Sequence, residues 1–243
     1  MPRGMRRISR RPNLAQQTYD ALCDAIATGN LRPGERIVLD RLAADLGVSP
    51  TPLREAIARL IQDGLMVDNA DGKLCVVPLT AVYVHNTFWV RASLEGLATE
   101  LACAELSDDD LERLETMFHE TSESLDRGEL DTYVRADAVF HQLTSDAANN
   151  SVLERELDSL KTHVAYIRGY SQRQNGEHIR ASQQEHLIIL EALKRREAKQ
   201  ARDAMEIHIR RTSDRIVRLI EFDQHRMAVV GDRQDGRTSE EDQ

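Results

Sequence analysis

The feature that most constrains this chain is a helix-turn-helix pattern at residues 42–57. Two short amphipathic segments meet at Gly47, which suits the tight turn that such a pair of helices needs. The second segment opens at Ser49. Its prolines, Pro50 and Pro52, fall in the first helical turn, where backbone N–H groups have no helical partner to lose. The pattern predicts a helix that enters a DNA groove.

The flanking sequence completes a predicted winged helix-turn-helix domain over residues 13–78. Apolar spacing predicts a first helix from Leu14 to Ala27, followed by a turn at residues 33–34. Two β-prone runs, 65–67 and 74–77, are separated by a polar segment with Gly72 near its tip, which is typical of a hairpin wing.

The charge is divided unevenly along the chain. The net charge is −9, but residues 1–78 hold 11 basic and 9 acidic residues, whereas the remainder holds 21 and 32. Residues 1–12 are expected to form a basic, disordered arm that either neutralises DNA phosphates or only keeps the protein soluble; the charge alone leaves both open. Its arginines are Arg3, Arg6, Arg7, Arg10 and Arg11.

Beyond residue 79 the pattern changes to long helical periodicity, so the fold class is predicted to be mainly α. The polar segment 223–243 is expected to be a disordered tail. A low aromatic fraction of 4% argues against a β-sandwich. The predicted helices cover 80–106, 108–127, 130–148, 151–173, 178–195 and 197–222.

Cysteine usage and hydropathy indicate the compartment. The three cysteines are far apart and form no CxxC pair, which is typical of reduced thiols rather than a disulfide framework. The basic N-terminus is not followed by an apolar signal region, and no apolar run approaches the roughly 20 residues of a membrane span. A soluble, cytoplasmic protein with no membrane partner is expected.

At the level of motifs, residues 14–78 resemble the GntR family of bacterial transcription regulators. The resemblance is carried by GNLRPGER at 29–36, LGVS at 46–49, PLREA at 52–56 and DGL at 63–65. Residues 80–222 resemble the all-helical FCD subfamily, through RASLE at 91–95, DAVFH at 137–141, EH at 185–186 and the segment 201–208. Two departures stand out: Pro50 replaces an arginine common in relatives, and Arg196-Glu197 replaces a common Gly-Asp.

The resemblance implies how the protein would hold DNA. It assigns the helix opening at Ser49 to the major groove, with Arg54 suited by its fork geometry to guanine. A single module offers few contacts, so a homodimer on a pseudo-palindromic operator is expected. For Arg54 the alternative is an exposed helix arginine paired with an acid. The full set of expected DNA contacts is Arg36, Ser49, Thr51, Arg54, Arg59, Gly72 and Lys73.

The resemblance also implies a metal site formed by Asp137, His141, His186 and His208. The first two are four residues apart, on one face of a predicted helix. One straight helix would place the last two about 33 Å apart, so the site requires a turn near residues 195–197 that no Gly or Pro marks. The ligand set suits Zn²⁺ or Ni²⁺. Taken singly, each histidine is more often a structural group.

A small organic or sugar acid is the implied effector. Arg91 resembles an arginine that clamps a ligand carboxylate, with Glu95 and Asn150 nearby in the motif set. The alternatives are that Glu95 simply pairs with Arg91 and that Asn150 closes a helix end. The predicted function is therefore a ligand-responsive transcription regulator, in most relatives a repressor, and not an enzyme.

Two other functions fit the same residues less well. One is a metal sensor in which the ion itself is the signal. The other is a metal-dependent hydrolase or oxygenase, disfavoured because no HExxH motif occurs and Glu185 lies about 100° around its helix from His186.

Overall fold

The computed structural model describes residues 14–68, 72–172 and 177–235, with residues 172, 177 and 224–235 described by their backbone alone. These residues form nine helices and one two-stranded sheet, which confirms the mainly α fold class. The chain divides into two compact units, Met1–Pro78 and Leu79–Gln243. The expected basic arm and the segment 69–71 of the wing lie outside the described residues.

The N-terminal unit has the predicted helix-turn-helix and wing. Its elements are α1 (Leu14–Thr28), α2 (Leu39–Leu46), α3 (Pro50–Gln62), β1 (Met66–Asp68) and β2 (Leu74–Val76). The strands pair antiparallel, with Met66 opposite Val76. Helix α1 packs on α3, and both turn their apolar side inward, burying Leu22, Ile26, Leu53 and Leu60. This packing holds α3 by one face and leaves its other face exposed.

Two glycines allow the turns of this unit. Gly47 has φ 64°, and its N–H bonds to the carbonyl oxygens of Ala43 and Ala44 at the end of α2. Gly72, at the base of the wing, has φ 66°. Residues with a Cβ rarely adopt this left-handed backbone. The glycine at each position therefore fits the geometry that the sequence pattern requires.

The C-terminal unit is an all-helical bundle. It consists of α4 (Ala81–Glu105), α5 (Asp108–Asp126), α6 (Leu130–Ala147), α7 (Ser151–Gln172), α8 (Glu177–Lys194) and α9 (Ala198–Asp235). Helix α4 packs against α6, α7 and α9, and α8 packs against α5 and α9. Gly96 permits the close approach of α4 and α9, since a Cβ there would lie 2.6 Å from Glu206 Cγ. No described helix is long and apolar enough to cross a bilayer.

The expected turn between α8 and α9 is present, and an arginine makes it. Arg196 has φ 57°, and the N–H groups of Arg196 and Glu197 bond back to Leu193 and Ala192 in a helix-ending motif usually built on glycine. The left-handed backbone is unfavourable for an arginine. Its guanidinium compensates by donating to the carbonyl oxygens of Cys103 and Leu106 and to Asp108.

Helix α9 continues to Asp235, whereas the sequence predicted its end at residue 222 and a disordered tail from 223. The physical reason lies in composition. Residues 223–230 contain no proline or glycine, and Gly231 costs a helix only about 1 kcal/mol. Low aromatic content and high charge therefore did not stop the helix. The tail prediction for 236–243 lies outside the described residues.

Candidate functional site

Helix α3 presents the residues expected to read DNA. Ser49, Thr51 and Arg54 are exposed, while Leu53 and Ile57 face the core. Ser49 occupies the N-cap position but its hydroxyl makes no capping bond. Such a hydroxyl normally accepts from the second or third N–H of the helix. The third residue here is Pro52, which has no N–H.

The other expected DNA contacts are in different environments. Arg59 is exposed, but its guanidinium lies 4.0 Å from the centre of the Tyr19 ring and donates to Gln16 Oε1 at 2.6 Å, so it also joins α3 to α1. Arg36 is exposed and pairs through its backbone with Cys75 beside the wing. Gly72 and Lys73 are exposed at the start of β2.

The four expected metal ligands converge in the bundle. Asp137 and His141 come from α6, His186 from α8 and His208 from α9. One nitrogen or oxygen of each lies within 4.8 Å of all the others. The Nε2 atoms of His186 and His208 are 3.2 Å apart, and those of His141 and His186 each lie 3.6 Å from Asp137 Oδ1. The α8–α9 turn at Arg196 makes this convergence possible.

A carboxylate contacts the far nitrogen of two of these histidines. Glu95 lies against His141 Nδ1 through one oxygen and accepts from Arg91 Nε at 2.5 Å through the other. This contact directs His141 Nε2 toward the cluster. Burial opposes the charge of Glu95, but Arg91 and His141 outweigh that cost and lower its pKa. The predicted pairing of Arg91 with Glu95 is therefore present, and it extends to His141.

The second carboxylate is Glu185, which contacts His208 Nδ1 at 2.8 Å. Arg215 donates to both of its oxygens, at 2.9 and 2.8 Å. Burial opposes the charge of Glu185, yet the bonds from Arg215 and His208 lower its pKa to about 2. Glu185 thus orients a histidine and is not itself one of the clustered ligand atoms. Outer-shell carboxylates of this kind are usual around metal-binding histidines.

Aromatic rings, rather than a carboxylate, hold the third histidine. His186 is fully buried and lies nearly parallel to the Phe118 and Tyr133 rings, at centroid distances of 5.5 and 5.9 Å. Its Nδ1 is buried without a hydrogen-bond partner among the described residues. Stacking therefore fixes the plane of the ring, with Nε2 facing His208.

Asp137 is buried and charged. Its Oδ1 accepts from the Tyr133 hydroxyl at 3.1 Å, and its Oδ2 accepts from Arg168. Burial opposes ionisation, but Arg168 and His141 keep the pKa of Asp137 well below its usual range. An ionised carboxylate beside three imidazoles is the donor set that a divalent first-row ion takes.

The protonation of the histidines also fits a cation. Burial lowers the pKa of His186 well below its ordinary value and that of His208 to about 4, so both are neutral ligands at pH 7. His141 differs: burial opposes its charge, but Glu95 and Asp137 raise its pKa. His141 Nε2 lacks a hydrogen-bond partner in the described part of the chain. A metal ion would replace the His141 proton and satisfy this atom.

These pKa directions predict that the metal-free protein loses stability as the pH falls from 6.5 toward 4. In that window the unfolded chain protonates His186 and His208, which the folded chain keeps neutral. His141 acts oppositely, because its folded pKa is raised and its contribution is lost only as the pH rises. Two groups against one leave a net loss of about 1.4 kcal/mol per pH unit.

Urea unfolding of the chelator-treated protein at pH 5 and pH 7 measures this loss. The substitution His208→Asn should flatten the dependence, because it removes one of the two histidines responsible. A stability equal at both pH values in the unsubstituted protein would contradict the assignment of neutral histidines.

A pocket opens beside the cluster. It has a volume of about 600 Å³ including its open mouth, and its wall includes Asp137 from the cluster. Two arginines of the wall, Arg168 and Arg215, hold the site carboxylates. The polar lining is completed by Tyr133, Ser171, His178, Ser182 and Thr212. Positive charge and hydroxyl groups next to the ligand cluster favour an anionic ligand.

The three residues expected to bind effector have other contacts. Arg91 is 4% exposed and engaged with Glu95, which itself contacts His141. Asn150 accepts from the N–H groups of Val152 and Leu153 and so caps α7, as the helix-closing alternative expected. Their role toward an effector stays a prediction.

Sequence reasoning missed four residues of the site: Tyr133, Arg168, Glu185 as an orienting group, and Arg215. Tyr133 lies one helical turn before Asp137, a spacing that brings side chains together and was a usable signal. For Glu185 the sequence suggested a role only toward a metal. Arg168 and Arg215 lie on α7 and α9, and their partners are distant in sequence. No local pattern marks them.

Comparison with known proteins agrees with this architecture. The family model for bacterial regulatory proteins of the gntR family matches residues 14–71, and that for the FCD domain matches residues 86–211. An uncharacterized HTH-type transcriptional regulator, YdhC of Bacillus subtilis, is 31% identical over 84% of this chain and 92% of its own. The HTH-type transcriptional repressor RspR of Escherichia coli is 24% identical over 83% and 88%.

Among solved structures, E. coli McbR/YncC has a TM-score of 0.67 with 21% identity, covering 88% of this chain and all of the other, which shows the same fold. The families and relatives are regulators and not enzymes, so the hydrolase or oxygenase alternative is set aside. The chain is a DNA-binding transcription regulator of the GntR family with an FCD domain.

Proposed function

We propose that this regulator senses a small carboxylic acid at a metal-containing site in its helical unit and acts as a repressor. The observation that carries the proposal is the buried convergence of Asp137, His141, His186 and His208 from three helices, beside a pocket with two arginines. A relative named as a repressor supports the direction of regulation. A protein of this kind works where the chromosome is, and we place it in the cytoplasm.

The residues divide the work of binding the acid. Arg168 and Arg215 supply positive charge at the pocket, and the hydroxyl groups of Ser182 and Thr212, which already accept from Arg215, fix the orientation of its guanidinium. A bound divalent ion, most simply Zn²⁺ or Ni²⁺, would add positive charge and open coordination positions for the carboxylate. Two arginines and an ion select a small acid over a neutral ligand.

On the DNA side, we propose that α3 lies in the major groove. Arg54 reads a base edge, Ser49 and Thr51 bind a phosphate or base edge, and the wing residues Gly72 and Lys73 approach the minor groove. The exposure of this helix face and the unused Ser49 cap support the arrangement. Arg36 and Arg59 are proposed phosphate contacts, with Arg59 also holding α1.

The alternative in which the ion alone is the signal makes a different prediction. For acid sensing, adding Zn²⁺ or Ni²⁺ to the protein on labelled operator DNA should leave the affinity unchanged. Metal together with an acid of the right size, tested as acetate, gluconate and citrate, should weaken it by about 5- to 150-fold, the usual range of coupling between two sites.

Fluorescence anisotropy of operator fragments selected from genomic DNA measures this effect. Release of DNA by the metal alone would support the metal sensor and contradict acid sensing. Mass spectrometry of the denatured protein identifies any metal and acid that it carried.

We further propose that the homodimer forms through one face of α4. Val82, Trp89, Val90 and Leu101 are 37–67% exposed, and at 100° per residue they all lie on one side of the helix. The other sides of α4 pack against α6, α7 and α9. An exposed apolar stripe centred on a tryptophan is typical of a protein–protein interface.

The substitution Trp89→Asp should dissociate the dimer. Loss of an aromatic anchor at the centre of an interface costs about 2 kcal/mol or more, which is roughly 30-fold in the dissociation constant. Analytical ultracentrifugation measures the change, and emission of the single tryptophan should shift to longer wavelength on dilution. Phe222→Asp, an equally exposed aromatic outside the stripe, is the matched control. Equal dimerisation of both variants would disprove this interface.

A further inference from the structure

Two of the clustered histidines are held by the same series of contacts. In each series an arginine pairs with a glutamate, and the glutamate contacts the histidine Nδ1. One series is Arg91, Glu95 and His141; the other is Arg215, Glu185 and His208. They differ in one respect: Arg215 lines the pocket, whereas Arg91 is buried elsewhere and does not.

Arg215 has donors beyond those that hold Glu185. Its Nη1 and Nη2 bind the glutamate, and Nη2 also contacts the hydroxyl groups of Ser182 and Thr212. Its Nε is buried and has no hydrogen-bond partner among the described residues. An acid in the pocket can therefore bind Arg215 while Glu185 keeps its place.

Binding of an acid would change what Glu185 does to His208. Arg215 partly neutralises the glutamate, and a second carboxylate on the same guanidinium would share that positive charge. Glu185 then accepts more strongly from His208 Nδ1, which raises the basicity of Nε2 on the other side of the ring. Outer-shell acceptors raise the basicity of histidine ligands in this way.

We propose that Arg215 and Glu185 form a link through which an acid in the pocket tightens metal binding at His208. The proposal rests on the proposed function, because it requires the histidine cluster to hold a metal. By reciprocity the metal then tightens binding of the acid by the same factor. Arg215 and Glu185 act here as positioning residues and not as metal ligands.

A double-mutant cycle on the full-length protein tests the link without knowing the acid. The measured quantity is the Zn²⁺ dissociation constant, from competition with a chromophoric chelator. Arg215→Gln imitates neutralisation of the guanidinium and should tighten zinc binding several-fold. Glu185→Gln should weaken it roughly tenfold. In the double variant the gain should vanish, leaving the affinity of Glu185→Gln alone.

A charge effect through space and structural damage would each give a different cycle. Removal of a positive charge acting only through space would tighten binding equally with and without Glu185, and this result overturns the link. Structural damage would make Arg215→Gln bind more weakly, which also overturns it. If Arg215→Gln does not fold, judged by its helical circular dichroism, Arg215→Met and the charge-retaining Arg215→Lys take its place. The link then requires tightening only in the neutral variant.

A spectroscopic readout isolates the geometry of the site. The visible absorption bands of the Co²⁺-loaded protein should change in Glu185→Gln, because His208 loses its orienting charge. They should stay unchanged in Arg218→Gln, an exposed arginine on the same helix. Wild-type protein that binds neither Zn²⁺ nor Co²⁺ would refute the proposed metal site and the link together. Metal binding without coupling in the cycle would refute the link alone.

Discussion

An Arg54→Ala protein will fold and dimerise but will lose specific operator binding. A bidentate arginine–guanine contact contributes about 1–3 kcal/mol of discrimination, and a dimer carries two copies. The expected loss is therefore about 2–6 kcal/mol, or roughly 30-fold to more than 10⁴-fold in affinity. Because Arg54 is exposed on α3, its removal leaves the core intact. Anisotropy titrations on operator and scrambled DNA at several salt concentrations measure the effect.

Arg59 provides the matched comparison, since it lies on the same helix but stacks on Tyr19 and bonds to Gln16. Arg59→Ala should lower the melting temperature of the N-terminal unit and weaken operator and scrambled DNA alike. An Arg54→Ala protein that still prefers operator over scrambled DNA would remove Arg54 from base recognition. The preference would then have to come from another exposed residue of α3.

Zinc or nickel will stabilise the wild-type protein and will not stabilise His208→Asn. A ligand at 100 times its dissociation constant stabilises a folded state by about 2.7 kcal/mol, which raises the melting temperature of a chain of this size by roughly 5–10 °C. Asparagine retains a donor for Glu185 but has no counterpart of the Nε2 ligand atom. The loss of affinity should exceed the 10- to 100-fold that removal of an outer-shell partner causes.

Thermal melts with and without metal, and the metal content after dialysis, measure this change. His119→Asn is the control, because His119 is exposed on α5 beside Glu123 and belongs to no cluster of the described residues. Asp137→Ala should lose metal and effector response as well while keeping basal operator binding. If His208→Asn were stabilised by zinc as well as the wild type, the cluster would not be the metal site.

The parts of the structure that depend on local chemistry could be predicted from the sequence. Gly47 and the prolines of α3 defined the helix-turn-helix, and Ser107 with Asp110 forms the capping box that begins α5. The spacing of Asp137 and His141 placed two ligands on one face of α6. In each case the deciding interaction lies within a few residues of the chain.

The remainder depends on contacts between residues far apart in sequence. Arg168 meets Asp137 across two helices, and Arg215 meets Glu185 in the same way, so no spacing rule could find them. The end of α8 was expected only from family resemblance, since nothing local marks Arg196 as a helix terminator. Its conformation is stabilised by acceptors on the α4–α5 connection, which the sequence alone does not place nearby.

The anchoring of Arg196 has a consequence for genetics. This side chain ties the hairpin of α8 and α9 to a part of the bundle remote from the ligand atoms, yet the separation of His186 and His208 depends on that hairpin. A screen for strains that repress normally but ignore the inducer should return changes at Arg196 and Asp108. Inducer-blind alleles would thus map to a surface turn as well as to the cavity.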